Sequence, residues 1–95
     1  MISSFEWDSA KDAANQLKHC LSFTEAQSAF LDASRVIAKD ATHSKTEERW
    51  YCFGKVENRI MTVRFTYRDQ VIRILGAGHW TKGRKVYEAQ TTIHK

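Results

Sequence analysis

Between Glu48 and Ala77 the chain alternates apolar and polar residues with a period of two. A helix cannot present such a pattern on one face, but a half-buried strand can. The alternation is broken at Glu57-Asn58 and again at Arg68-Asp69. These gaps predict three strands, 48–56, 59–67 and 70–77, joined by two-residue hairpin turns. In that register Trp50, Cys52, Met61, Val63, Phe65, Ile72 and Ile74 share one face, and all are apolar. The other face carries Glu47, Arg49, Tyr51, Thr62, Arg64, Thr66, Val71 and Arg73. The apolar face must be covered.

The N-terminal third supplies the cover. Ile2 to Trp7 reads as a short edge strand. Asp8 caps a helix over Ser9 to His19, with Ala10, Ala13, Ala14 and Leu17 as its buried stripe and Lys11, Asn15 and Lys18 on the wet face. Ser22 and Glu25 have capping-box spacing and start a second helix that ends near Asp32 to Ser34. Its core residues are Ala26, Ala29 and Phe30, and Cys20-Leu21 is the turn between the two helices. Arg35 to Lys39 is a short strand, and Asp40 to Lys45 a polar loop. Thr81 caps a last helix to about His94, with Val86, Ala89 or Gln90, and Ile93 inward. The expected fold is α+β: a small antiparallel sheet of three to five strands packed by two N-terminal helices and a C-terminal helix. At 95 residues the chain makes one domain, 1–95.

Charge is uneven. Residues 1–58 carry net −2 and residues 59–95 net +6. A basic C-terminal third suits a phosphate-bearing partner. No apolar run is long enough to span a bilayer, and the N-terminus lacks a signal-peptide pattern, so a cytoplasmic location is expected. Cys20 and Cys52 form no CxxC pair, and His19, His79 and His94 lack metal-ligand spacing. No metal or cofactor is expected.

The assumed register places Arg64 between Tyr51 and Arg73 in one cross-strand row, with Arg49 and Thr66 in the next. Like charges facing each other destabilise a sheet unless an anion sits between them. Arginine's planar fork suits phosphate oxygens. The plainer reading pairs these arginines with Glu47, Asp69 or another acid. Cleavage of RNA by its own 2′-hydroxyl needs a proton acceptor, positive groups at the phosphate and a proton donor to the leaving oxygen. Arg49, Arg64 and Arg73 can supply the charge. Glu47, Glu48, His43, Tyr51 or Tyr87 can move protons. Lys18, Tyr51, Thr66, Lys82, Arg84 and Lys85 are candidate RNA-binding residues. Trp80 is the tryptophan most open to base stacking.

Phe5-Glu6-Trp7-Asp8, Lys11, Asn15, Lys18-His19, Ser22-Phe23-Thr24-Glu25-Ala26, Phe30, Asp32, His43-Ser44, Glu47-Glu48-Arg49, Phe65-Thr66, Arg68 and Arg73-Ile74 follow one another in a specific order and spacing. Over almost the whole chain this pattern resembles the BrnT family of toxins from type II toxin–antitoxin systems. The resemblance implies a RelE-like ribonuclease fold and RNA cleavage that arrests translation and growth. It also implies neutralisation by a BrnA-type antitoxin, operator DNA being reached only through the antitoxin complex.

The chain departs from the pattern after the last strand. Gly78 stands where the family has an arginine, and the glutamate before Arg84 is missing. Cys20 stands where relatives have glycine. The alternative reading is therefore a degenerate, non-cleaving member that binds antitoxin or RNA. A nucleic-acid-binding module of another kind is the third.

Overall fold

The computed structural model describes residues 4–43 and 45–93. Its elements are β1 (Phe5–Glu6), α1 (Ser9–His19), α2 (Phe23–Ala26) continued by a 3-10 turn (Gln27–Leu31), β2 (Val36–Lys39), β3 (Trp50–Val56), β4 (Arg59–Arg68), β5 (Val71–Gly78) and α3 (Thr81–Ile93). The five strands form one mixed sheet in the order β1-β5-β4-β3-β2. β1 runs parallel to β5, and the other neighbours are antiparallel. The α+β expectation holds. The predicted start at Ile2 and end at His94 lie outside the described residues.

Local chemistry sets the helix boundaries. The Asp8 carboxylate accepts hydrogen bonds from the Ala10 and Lys11 N–H groups and starts α1. Cys20 ends it in the left-handed region, at φ 55°, with its N–H donating to the Gln16 carbonyl. Ser22 and Glu25 form the full capping box. Asp12 accepts the Phe23 N–H at 2.9 Å and ties α2 back to α1.

The core lies on the face the alternation predicts. Leu21, Phe23, Ala26, Ala29 and Phe30 cover Cys52, Met61, Val63, Phe65, Ile72 and Ile74. Phe30 meets Phe65 and Phe5 edge to face at 5.1 and 5.2 Å. Burying each large apolar side chain contributes roughly 1.5–3 kcal/mol.

The first hairpin turns at Glu57-Asn58 as expected, with φ 49° and 69°. The second turns one residue later than predicted, at Asp69-Gln70, again with both φ values positive. Such a turn places two residues in the left-handed region, which Asp tolerates better than Arg. A bulge follows: Phe65 faces Ile74, while Arg64 faces Gly76, leaving Leu75 as the extra residue. The two shifts overturn the predicted Arg64–Arg73 row. Arg73 faces Thr66 on one side and Glu6 on the other.

The helix stripes also need correction. Ala10, Ala13, Ala14 and Leu17 are exposed, Leu17 at 89%. Asn15, assigned to the wet face, is buried. The polar face of α1 is the inward one because Asn15 clamps backbone rather than apolar side chains. In α3 the inward residues are Gly83 and Tyr87, with Val86 half-buried, whereas Ala89 and Gln90 are exposed. The Ile93 side chain lies outside the described residues.

Candidate functional site

On the face opposite the core, α1, the sheet and the start of α3 enclose a cleft of about 590 Å³. Lys11, Ala14, Asn15, Lys18 and His19 form one wall. Tyr51, Phe53, Thr62, Arg64, Leu75 and Gly76 form the floor. Trp80, Lys82 and Gly83 form the opposite wall. Four of the lining side chains are Lys or Arg, and no described carboxylate lines the cleft. Its size is that of a small-ligand site.

The wall from α1 follows from helical spacing. Lys11, Asn15 and Lys18 recur at four and three residues, so they share a face. Asn15 fixes that face inward. Its amide donates to the Leu21 and Ala77 carbonyls and accepts the Ala77 N–H. The left-handed Cys20 then stops the helix with Lys18 and His19 in its last turn.

Arg64 occupies the centre. Gly76, directly across on β5, gives its guanidinium room to lie on the strand: a Cβ there would sit 3.2 Å from Nη2 and 3.3 Å from Nε. Arg64 Nε is buried and has no hydrogen-bond partner among the described residues. A buried charge without a counterion is costly, so an anion entering the cleft gains there. Tyr51 is the cross-strand neighbour of Arg64. Burial raises the Tyr51 pKa, and the Asp40 carboxylate, which accepts its hydroxyl hydrogen bond, raises it further. Tyr51 is thus a neutral donor and a poor base.

The other wall depends on Gly78. A Cβ on Gly78 would fall 2.6–2.9 Å from the Trp80 indole. The indole therefore rests on the end of β5, over the glycine. His19 meets it edge to face, with centroids 5.1 Å apart and an interplanar angle of 82°.

Of the residues singled out in the sequence, Arg64, Tyr51, Lys18, Lys82 and Trp80 line the cleft. The others lie elsewhere. Arg73 pairs with Glu6 at 2.8 Å. Glu47 pairs with Arg68 at 3.2 Å, and Glu48 with Lys39 at 3.0 Å. Thr66 is 1% exposed and donates to the Glu48 carbonyl, so it is a structural residue. Arg49 is half-buried just before β3, and its carbonyl accepts the Asp40 N–H. Arg84 lines a separate hollow with Lys55, Arg59 and Tyr87, and Lys85 is exposed. Tyr87 donates to Asp32 at 2.7 Å. His43 closes a 3-10 turn, Ala41–His43, and its side chain lies outside the described residues.

Sequence reasoning missed Lys11 and His19 as cleft residues and Gly76 as the seat of Arg64. The i, i+4, i+8 spacing of Lys11, Asn15 and His19 on α1 was the available signal for the first pair. Nothing in the sequence marked the bulge that selects Gly76.

Among the described residues no cluster of His, Cys, Asp and Glu could hold a metal ion, and no helix is long and apolar enough to cross a membrane. Comparison with curated proteins finds no match. The family model described as ribonuclease toxin, BrnT, of type II toxin–antitoxin system matches residues 7–83. That match spans most of the chain, and the chain belongs to the BrnT family of ribonuclease toxins.

Proposed function

We propose that this protein is a single-domain, metal-independent endoribonuclease of RelE-like kind that cuts RNA through its own 2′-hydroxyl and so arrests translation and growth. Family membership implies an RNA substrate and a protein antitoxin. The partner in this reading is a BrnA-type antitoxin, the two acting together in the cytoplasm. The observation that carries the reading is Arg64, a half-buried residue with no carboxylate partner among the described residues, in a cleft lined by Lys11, Lys18 and Lys82. These groups attract a phosphate and stabilise the charge that builds on it in the transition state. They would repel a divalent cation, which supports chemistry without a metal. Arg49 and Arg73 fall away as phosphate ligands in this reading, because neither lines the cleft.

The test is tightly induced expression in bacteria without a partner, with growth and bulk RNA integrity followed together. Growth arrest with RNA cleavage is the expected result. Normal growth with intact RNA and soluble protein would favour a non-cleaving member, a reading motivated by Gly78. Co-expression of a BrnA-type antitoxin should restore growth.

A further inference from the structure

We propose that His19 is the proton acceptor of the cleft and that Trp80 positions it. The inference rests on the ribonuclease reading. The acids and tyrosines that the sequence offers for this role are engaged elsewhere. Glu47 and Glu48 are in ion pairs with Arg68 and Lys39. The Tyr51 hydroxyl is bound to Asp40, and that of Tyr87 to Asp32. The titratable groups that line the cleft are Lys11, Lys18 and His19 from α1, Tyr51 from β3, Arg64 from β4 and Lys82 from α3. Only an imidazole among these side-chain types ordinarily changes charge between about pH 5 and 8. His19 is half-buried, fixed at the last turn of α1 and braced against the Trp80 indole. The indole is itself seated on Gly78, where no side chain intervenes.

In the proposed step the neutral His19 imidazole takes the proton of the RNA 2′-hydroxyl. The 2′-oxygen forms its bond to the adjacent phosphorus. The bond from phosphorus to the 5′-oxygen of the next nucleotide breaks, and that oxygen takes a proton from water. The products are a 2′,3′-cyclic phosphate end and a 5′-hydroxyl end, and the hydroxide left by that water takes the proton from the His19 imidazolium, which restores water and the neutral base. Arg64 and the three lysines hold the phosphate throughout.

The experiment measures single-turnover cleavage of a labelled oligoribonucleotide by the purified full chain between pH 5 and 9. The parent and the His19→Gln, His43→Gln and Trp80→Leu variants are compared. Binding of the same oligonucleotide with 2′-O-methyl sugars is measured alongside, as a readout of an intact cleft. The parent rate should rise with pH over part of this interval. His19→Gln should lose about 100-fold or more and its rising limb, while 2′-O-methyl RNA binds within about threefold of the parent. Trp80→Leu should lose about tenfold in rate and keep the limb. A His19→Gln protein that cuts at the parent rate, or keeps the limb, overturns the assignment. So does loss of the limb in His43→Gln instead. Trp80→Leu cutting as fast as the parent removes the positioning role. A parent that binds RNA and never cuts it brings down the ribonuclease reading and this one together. Cleavage with a limb independent of His19 brings down this one alone.

Discussion

Asn15 meets Ala77 as a neighbouring strand would: the Ala77 N–H donates to Asn15 Oδ1 at 3.2 Å, and Asn15 Nδ2 donates to the Ala77 carbonyl at 3.0 Å. A second hydrogen bond from Nδ2 reaches the Leu21 carbonyl at 2.8 Å. One buried side chain thus completes the edge of β5, closes the turn after α1 and holds one wall of the cleft. Asn15→Ala would strand three buried backbone groups, each costing on the order of 1 kcal/mol or more. The expected loss is about 2–4 kcal/mol, read as a fall in melting temperature of roughly 10–25 °C. Asn15→Asp, which keeps the acceptor and removes the donors, should also destabilise. A shift below about 3 °C in both variants would remove the clamp from this account.

Arg64 makes the opposite prediction, because it contributes to function at some cost to the fold. Arg64→Ala should abolish RNA cleavage, by about 100-fold or more, and restore growth to cells that express the protein. Its melting temperature should stay within a few degrees, since no described carboxylate is left behind. Arg64→Lys keeps the charge but loses the planar fork and should recover only part of the activity. Undiminished toxicity in Arg64→Ala would defeat the placement of the phosphate.

Much of the fold was readable in the sequence for one reason. The core depends on the parity of the strands, and parity survives a turn misplaced by one residue. Moving the turn from Arg68-Asp69 to Asp69-Gln70 slides the register by two, so Ile72 and Ile74 keep their face. The site did not share that protection. It depends on which residue faces Arg64, and the same slide, with the bulge at Leu75, exchanged Arg73 for Gly76. The face of α1 was misread for a related reason. An alanine-rich stripe looks like core by composition, yet the three hydrogen bonds in which Asn15 takes part outweigh it, and no periodicity reports a single buried amide. Cys20 shows a similar limit: its place after the helix marks a cap, but only the structure shows that it adopts the left-handed region at φ 55°.

Gly78 distinguishes two accounts of the departure from the family pattern. If it were a simple loss, Gly78→Arg would restore cleavage. The structure predicts the reverse, because any Cβ there must displace an indole ring that would lie 2.6 Å away. Gly78→Ala and Gly78→Arg should both disturb the His19–Trp80 contact and lower cleavage, with Gly78→Ala about tenfold below the parent. The comparison with Trp80→Leu is diagnostic. If Gly78 acts only through Trp80, the double variant should be no slower than Trp80→Leu alone. Faster cleavage by Gly78→Arg would show that the indole occupies an arginine's place without replacing its work.

The clamp around Asp32 predicts how stability responds to pH. Burial works to raise the Asp32 pKa, but donors from Tyr87, Lys55 and Ser34 hold it below the ordinary carboxylate value. The Tyr87 hydroxyl and the Lys55 N–H both lie 2.7 Å from Oδ2, and the Ser34 N–H lies 2.9 Å from Oδ1. A carboxyl whose pKa is lower in the folded state contributes stability above its unfolded value, and that stability is lost as pH falls through the folded value. Glu25, held down by the Ser22 N–H and hydroxyl, acts in the same sense, as does Asp8 through the Lys11 and Ala10 N–H groups. On the alkaline side, burial and the Asp32 carboxylate push the Tyr87 hydroxyl up to about 12. Its contribution is full below the ordinary tyrosine value of 10.0 and is lost as pH rises toward 12. The melting temperature should therefore be flat between about pH 5 and 9 and fall on both sides. Tyr87→Phe should cost about 1 kcal/mol at pH 7 and blunt the alkaline fall. Asp32→Asn presents donors to donors, so it should cost about 1–3 kcal/mol at pH 7 and make the acid fall shallower. An acid limb as steep in Asp32→Asn as in the parent would place the titration elsewhere.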